Sequence, residues 1–349
     1  MSRSWRPAAV ATAVLLGLLI PAGTGTARAE DDAGKRVHAR VVGTLEGESV
    51  APAVNRHGDV AFTTKQGDQM VWNATTGERR TLQKVPDAAP SDLTDDGRVV
   101  GAHHTDGLIL WAADGSVTRI GIPPGQVAVL YGSPRIGEDG TVLLTAYHLV
   151  RPDPRRPQPV YMSYRWTPGG GFQLLGAAGE GTTAMAVNDA GLIVGSSGNT
   201  AAAWHPDGSV ETYAPTPGHT SRTWARGVSD RGVLVGGQQR PGSGGRATPT
   251  RWDGPAEPQE LTDLGFGGEA AGVNSRGWIT GTVHTSATDY RTVPVVWDPH
   301  GGPHRLDELL DVPEGGTLAD VEAINDRDQL LVRMYTADRK PLDQVVQLH

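Results

Sequence analysis

Ala186-Val187-Asn188-Asp189-Ala190-Gly191-Leu192-Ile193-Val194-Gly195 is the clearest copy of an element that recurs along the chain. Close relatives are Gly227-Val228-Ser229-Asp230-Arg231-Gly232-Val233-Leu234-Val235-Gly236 and Gly272-Val273-Asn274-Ser275-Arg276-Gly277-Trp278-Ile279-Thr280-Gly281, and weaker copies start at Ala53, Asp92, Arg135 and Ala323. The turn glycine falls at 58, 97, 140, 191, 232 and 277, with Asp328 in its place in the seventh copy, so the spacings are 39, 43, 51, 41, 45 and 51 residues. Four-stranded propeller blades have periods of this size. The chain therefore reads as all-β, a β-propeller of seven four-stranded blades; the diverged third copy leaves six or eight as alternatives.

Each repeat reads as two hairpins. A small residue followed by Val, Leu or Ile ends a short innermost strand A, and the Asn/Ser-Asp-x-Gly element supplies residues that tolerate positive φ in the turn to strand B. Strand B is a run such as Leu192-Ile193-Val194, whose continuous apolar character suits a sheet covered on both faces. About a dozen residues past each turn comes an apolar strand C ending in tryptophan, at Trp72, Trp111, Trp166, Trp204, Trp252 and Trp297; only the last copy lacks it. Their fixed place predicts packing between blades. A second turn, such as Pro206-Asp207-Gly208-Ser209, leads to strand D.

The seventh copy stops before a strand D, and the stretch Ala39 to Leu45 has the missing strand's character. It is expected to close the ring by completing the last blade, which removes edges that an open sheet would expose.

The motif A-V-N-D-x-G-x-I-V-G followed by a strand ending in Trp resembles the extracellular-repeat proteins called the HAF-repeat family, from about Ala53 to the C-terminus and most closely in copies four to six. The resemblance implies a secreted, propeller-like protein and carries over no activity and no catalytic residue. Copies three and seven depart from it through Gly137-Glu138-Asp139-Gly140 and Asn325-Asp326-Arg327-Asp328.

Export is also expected from the N-terminus. Arg3 and Arg6 precede a 13-residue apolar core, Ala8 to Ile20, and Pro21 and Ala27-Arg28-Ala29 offer a break and a cleavage site. Residues 1–29 thus read as a signal peptide, 30–38 as a short linker and 39–349 as a single propeller domain. The apolar core falls short of the roughly 20 residues a membrane span needs, and no later stretch approaches it. With no cysteine in the chain, neither a disulfide framework nor a lipid-modified cysteine is available. Removing Arg3, Arg6 and Arg28 with the signal takes the formal charge from −8 to −11, which argues against nucleic acid or an anionic membrane as partner.

In this topology the A–B and C–D turns share one face of the disc, and the B–C and D–A loops share the other. The second set is the variable one, from about three residues near Gly198 to the long stretch His148 to Val160 and the Gly-rich stretch Arg240 to Ala247. Variable loops on a rigid scaffold are where binding resides. The candidate binding residues on that face are His104, His148 and His284, Tyr147, the basic cluster Arg151, Arg155 and Arg156, and Trp224, which lies outside the tryptophan register in what reads as a D–A loop. The histidines could act with Asp106, Asp153 or Asp289 on a metal or as acid–base groups only if they converge; the simpler reading is solvated loop residues. The Asn/Asp/Gly turns, Asp92 to Gly97 above all, are explained by hairpin chemistry without calcium. Asp92 and Arg135 are expected to form an ion pair between blades, and the sequon Asn73-Ala74-Thr75 to be accessible on its turn.

No H-E-x-x-H, G-x-S-x-G, P-loop or cysteine nucleophile occurs. The expectation is a monomeric, noncatalytic scaffold without cofactor or metal that binds an extracellular protein or glycan. The alternative is an extracellular lyase or hydrolase with a His/carboxylate site on the same face. Propellers host both.

Overall fold

The computed structural model describes residues 37–126, 132–150, 158–176, 181–219, 222–239, 244–288 and 291–349, with 147–150 and 158–159 as backbone alone. The repeat becomes seven four-stranded antiparallel sheets, six of them built in chain order from the inside outwards. Their innermost strands are Ser49–Val50, Ala88–Leu93, Arg135–Ile136, Thr182–Val187, Thr223–Val228, Gly268–Val273 and Thr317–Ile324, in blades one to seven. The one helical element among the described residues is a single turn, Leu306–Leu309.

Blade seven takes its inner three strands from the C-terminus (Thr317–Ile324, Gln329–Tyr335, Pro341–Leu348) and its outer strand, Ala39–Glu46, from the N-terminus. The closing pair runs antiparallel from Ala39 opposite Leu348 to Glu46 opposite Leu342. Gly43 lies where this strand meets blade one: a Cβ there would stand 2.7 Å from the Trp72 ring and 2.6 Å from the Ala74 carbonyl. Closure thus depends on a side chain being absent.

Seven buried apolar clusters lie one between each neighbouring pair of blades. Trp72, Trp111, Trp204, Trp252 and Trp297 each sit in the cluster that joins their own blade to the preceding one, and Trp166 packs at the edge of its own. Three also latch a linker, since Trp111, Trp252 and Trp297 donate Nε1–H to the carbonyls of Gln83 (2.8 Å), Ala214 (2.9 Å) and Thr262 (2.6 Å). Burial and the latch explain the fixed spacing of tryptophan better than any ligand does.

The last glycine of the repeat has its own cause. Strand A carries a β-bulge at Ser91, Met185, Arg226 and Ala271, opposite Gly101, Gly195, Gly236 and Gly281. A Cβ on those glycines would meet a strand A carbonyl at 2.3, 2.0, 2.0 and 2.1 Å. Blades one and three have Phe62 and Leu144 there, and their inner strands shrink to two residues. The bulge and the glycine therefore come and go together in blades one to six, while blade seven keeps the bulge, at Glu322, opposite Val332.

The A–B turns of copies three and seven keep the common geometry despite their sequences. Gly140 sits at φ 84° and Asp328, a non-glycine, at φ 62°. Asn274 Nδ2 and Arg276 Nη1 each donate to the Asp328 carboxylate at 2.8 Å, which holds it in the left-handed region.

Candidate functional site at the two mouths of the channel

The inner strands enclose a central channel lined by Pro52, Asp92, Arg135, Met185, Arg226, Ala271 and Glu322, one from each blade in turn. Asp92 is pushed up by burial and partly drawn back by the charge of Arg135. The two make no direct salt bridge of the kind the sequence suggests: Asp92 accepts the N–H of Ile136 (3.0 Å), while Arg135 Nη1 reaches the Pro52 carbonyl (2.8 Å).

One mouth of the channel is walled by the A–B turns of all seven blades. The repeat's asparagine works twice here. Asn188 Oδ1 accepts the N–H groups of Ala190 (3.1 Å) and Leu192 (2.9 Å) within its own turn, while Nδ2 donates to the Ser229 carbonyl of the next blade (3.1 Å). Asn55, Asn274 and Asn325 donate in the same way to Thr94, Asn325 and Asn55. The next position in the seven copies holds Arg56, Asp95, Glu138, Asp189, Asp230, Ser275 and Asp326. Its acids accept the backbone N–H of the preceding blade: Asp95 from Arg56 (2.7 Å), Glu138 from Asp95 (2.6 Å), Asp230 from Asp189 (2.9 Å) and Asp326 from Ser275 (2.7 Å). Arg56 also pairs with Asp95.

Crowding has an electrostatic consequence. Burial, then the carboxylates of Asp230, Glu138 and Asp95, push Asp189 up to about 7. Burial also raises Asp230 and Glu138. This carboxylate ring was missed in the sequence because each turn was judged alone; read down the column after Asn, five of the seven residues are acids.

The opposite mouth is built differently. Strand A of blade five presents Arg222, Trp224 and Arg226 on one side, alternating with buried Thr223 and Ala225. Trp224 is therefore a strand residue rather than the loop residue that its sequence position suggests. Its indole lies across the blade because its cross-strand partner is Gly237, where a Cβ would come within 2.8 Å of the ring. Arg222 stacks over the indole at 5.7 Å. Glu269 of blade six accepts hydrogen bonds from both Trp224 Nε1 and Arg226 Nε, which fixes the ring edge.

Trp224 forms a common wall between two cavities. The first, about 320 Å³, is lined by Tyr161, Thr183, Met185, Ser196, Arg222, Trp224, Arg226 and Glu269. The second, about 280 Å³, adds Arg246, Thr282, His284 and Thr292. Arg246 and Ala247 in turn border a third space of about 790 Å³ with Glu260, Asp263 and Phe266. The three adjoin through shared residues: the first reaches from blades three and four across blade five to Glu269, and the other two lie between blades five and six.

The groove walls are braced. Arg246 donates to the carbonyls of Phe266 (3.1 Å), Ser286 (2.8 Å) and Ala287 (2.7 Å), tying three loops together. Asp263 accepts the N–H groups of Gly265 (2.6 Å) and Gly267 (2.8 Å). A surface braced in this way loses little freedom on binding.

Of the residues expected from the sequence, Trp224 and His284 meet in the second cavity, and Tyr161 and Arg246 join the same groove. His284 Nδ1 is buried with no hydrogen-bond partner among the described residues. His104 is exposed in blade two and stacks on His103 at 4.7 Å, separated from blade six by three blades in one direction round the ring and two in the other. Arg151, Arg155 and Arg156 lie outside the described residues, as do the side chains of Tyr147 and His148. Among the described residues no three His, Asp or Glu side chains are grouped to hold a metal ion. No described helix is long and apolar enough to cross a membrane.

The sequon lies on its turn with Thr75 exposed and Asn73 half-buried, its amide engaged on both sides. Asn73 Nδ2 donates to His57 O (3.0 Å) and Asp59 Oδ1 (2.7 Å), while its Oδ1 accepts from Thr75 (3.0 Å) and Thr76 (2.9 Å). Compared with known proteins, the chain matches no family model and no curated sequence, so the molecule is placed by its architecture as a seven-bladed β-propeller.

Proposed function

We propose that this chain is an exported, noncatalytic binding protein that holds a glycan along the groove that passes Trp224 from blade four to blade six. The observation that carries this reading is Trp224: a half-buried indole, anchored at its edge by Glu269, that separates two adjoining cavities. Successive rings of a saccharide chain fit such a row of spaces, and a flat aromatic wall stacks on a sugar face. Export rests on the signal-like stretch Arg3 to Ala29 and on the likeness of the repeat to the HAF type.

Binding of the mature protein to solubilised cell-wall glycans, measured by titration calorimetry, tests the proposal. Trp224→Ala is expected to weaken affinity by about tenfold or more, the loss of a central aromatic anchor. Equal affinity for the variant, with an unchanged circular dichroism spectrum, would overturn the reading.

A lyase or hydrolase is the second reading, favoured by His284 and Glu269 lining one cavity while His284 Nδ1 is unengaged. It requires the bound glycan to be shortened during incubation, with His284→Ala abolishing the cleavage and sparing the binding.

A further inference from the structure

We infer that the unit held at Trp224 is acidic: a hexuronic acid residue whose ring lies against the indole while its carboxylate meets Arg222 and Arg226. This rests on the glycan reading above and adds the chemistry of the sugar.

The arrangement Arg-Thr-Trp-Ala-Arg at 222–226 puts two guanidinium groups on either side of one indole, all on the same side of a strand and all lining one cavity. Arg226 spends Nε on Glu269 and also feels Asp320, so much of its charge is answered. Its two terminal amino groups engage no acceptor among the described residues, and they remain as donors. Arg222 is exposed, and its guanidinium lies over the indole and makes no hydrogen bond or salt bridge with any described residue. Among the described residues the cavity lining thus carries two positive charges, Arg222 and Arg226, against the one negative charge of Glu269, in a chain whose formal charge is −8.

A planar guanidinium pairs with a carboxylate through two parallel N–H bonds, and an adjacent aromatic face takes the apolar side of a ring. A sugar carboxylate is rigidly joined to its ring, so one residue satisfies both demands. The remaining lining suits hydroxyl groups: Thr183 and Ser196 are polar, and the free lone pairs of Glu269 accept. A neutral hexose would fill the ring site and leave Arg222 with water.

Calorimetric titration of the full mature protein with tetragalacturonate and with its carboxyl-reduced, neutral counterpart tests this. The acidic oligomer is expected to bind about tenfold more tightly or better, with an affinity that falls as salt is raised. Arg222→Ala should remove that advantage, weakening the acidic oligomer far more than the neutral one, while Arg222→Lys, which keeps charge but not the fork, should restore part of it. Equal affinity for the two oligomers, both lost in Trp224→Ala, would overturn the acidic assignment and leave the glycan reading standing. Binding of neither oligomer would overturn both. An advantage for the acidic oligomer that survives Arg222→Ala and Arg226→Gln alike would place the carboxylate elsewhere and overturn the assignment.

Discussion

The two mouths of the channel use the same seven repeats for opposite ends. On the turn face nearly every polar group is spent inside the molecule: asparagine amides reach the next blade's carbonyls, and carboxylates take the previous blade's N–H groups. On the loop face Trp224, Arg222 and the outer amino groups of Arg226 stand at a groove whose walls are braced from behind by Arg246 and Asp263. The difference teaches that a repeated motif marks the ring's joinery, while binding chemistry collects where the repeat is broken. Blade five keeps the motif in its turn and departs from it at the other end of the same strand.

The largest effect expected from this division is on stability. Asn188→Ala removes three hydrogen bonds, among them the buried link to the Ser229 carbonyl of the next blade, so it should cost about 2 kcal/mol in denaturant unfolding. Glycan affinity of the folded variant should not change. Arg222→Ala is its mirror image, with affinity lost and the unfolding midpoint kept. If Asn188→Ala weakened binding as strongly as Arg222→Ala, the two faces would be coupled and the comparison would fail.

A smaller effect sets the A–B ring apart from the other turns of its own face by pH. In the unfolded chain Asp189 ionises near its ordinary 3.8, whereas in the folded ring it keeps its proton to about 7. Below 3.8 both states are protonated and the fold bears no penalty; as pH rises towards 7 the unfolded state gives up its proton first, so stability is lost. Arg56, Asp95, Glu138, Asp230 and Asp326 face this group round the ring. Carboxylates of the C–D turns, such as Asp114 and Asp207, are held low by hydrogen bonds from Ser116 and Ser209. They are ionised in both states above about pH 5, so their contribution is constant there. The melting temperature should therefore decline by a few degrees from pH 5 to pH 8, and Asp189→Asn should flatten the decline. A wild-type profile that rises over this range would show that the ring carries no proton.

What the sequence made legible follows the same boundary. The Asn/Gly turn, the tryptophan and the closing strand Ala39–Glu46 could be read because each is fixed by local backbone demands repeated at one period. The site was legible only in pieces. Trp224 stood out by breaking register, yet its place on a strand was hidden because just the end of strand A carries the repeat; the bulge at Arg226 and the partner Gly237 are cross-strand facts. Glu269, from a different blade, has no signal along the chain. Its pairing with Trp224 and Arg226 exists only once blades five and six are side by side.

The smallest effect sharpens the loop face itself, by asking which histidine belongs to the groove. His284 and His104 occupy matching places after strand B in blades six and two. Only His284 lines a cavity with Trp224, and since its Nδ1 is closed to solvent, a sugar hydroxyl there would bond the open edge of the half-buried ring. One neutral hydrogen bond at the rim of a site is worth about 1 kcal/mol, or several-fold in affinity. His284→Ala should thus weaken glycan binding several-fold by calorimetry, against no measurable change for His104→Ala, whose exposed ring rests on His103. Equal losses for the two would spread the ligand across the whole face and dissolve the groove; no loss for either would confine it to the cavity on the far side of Trp224.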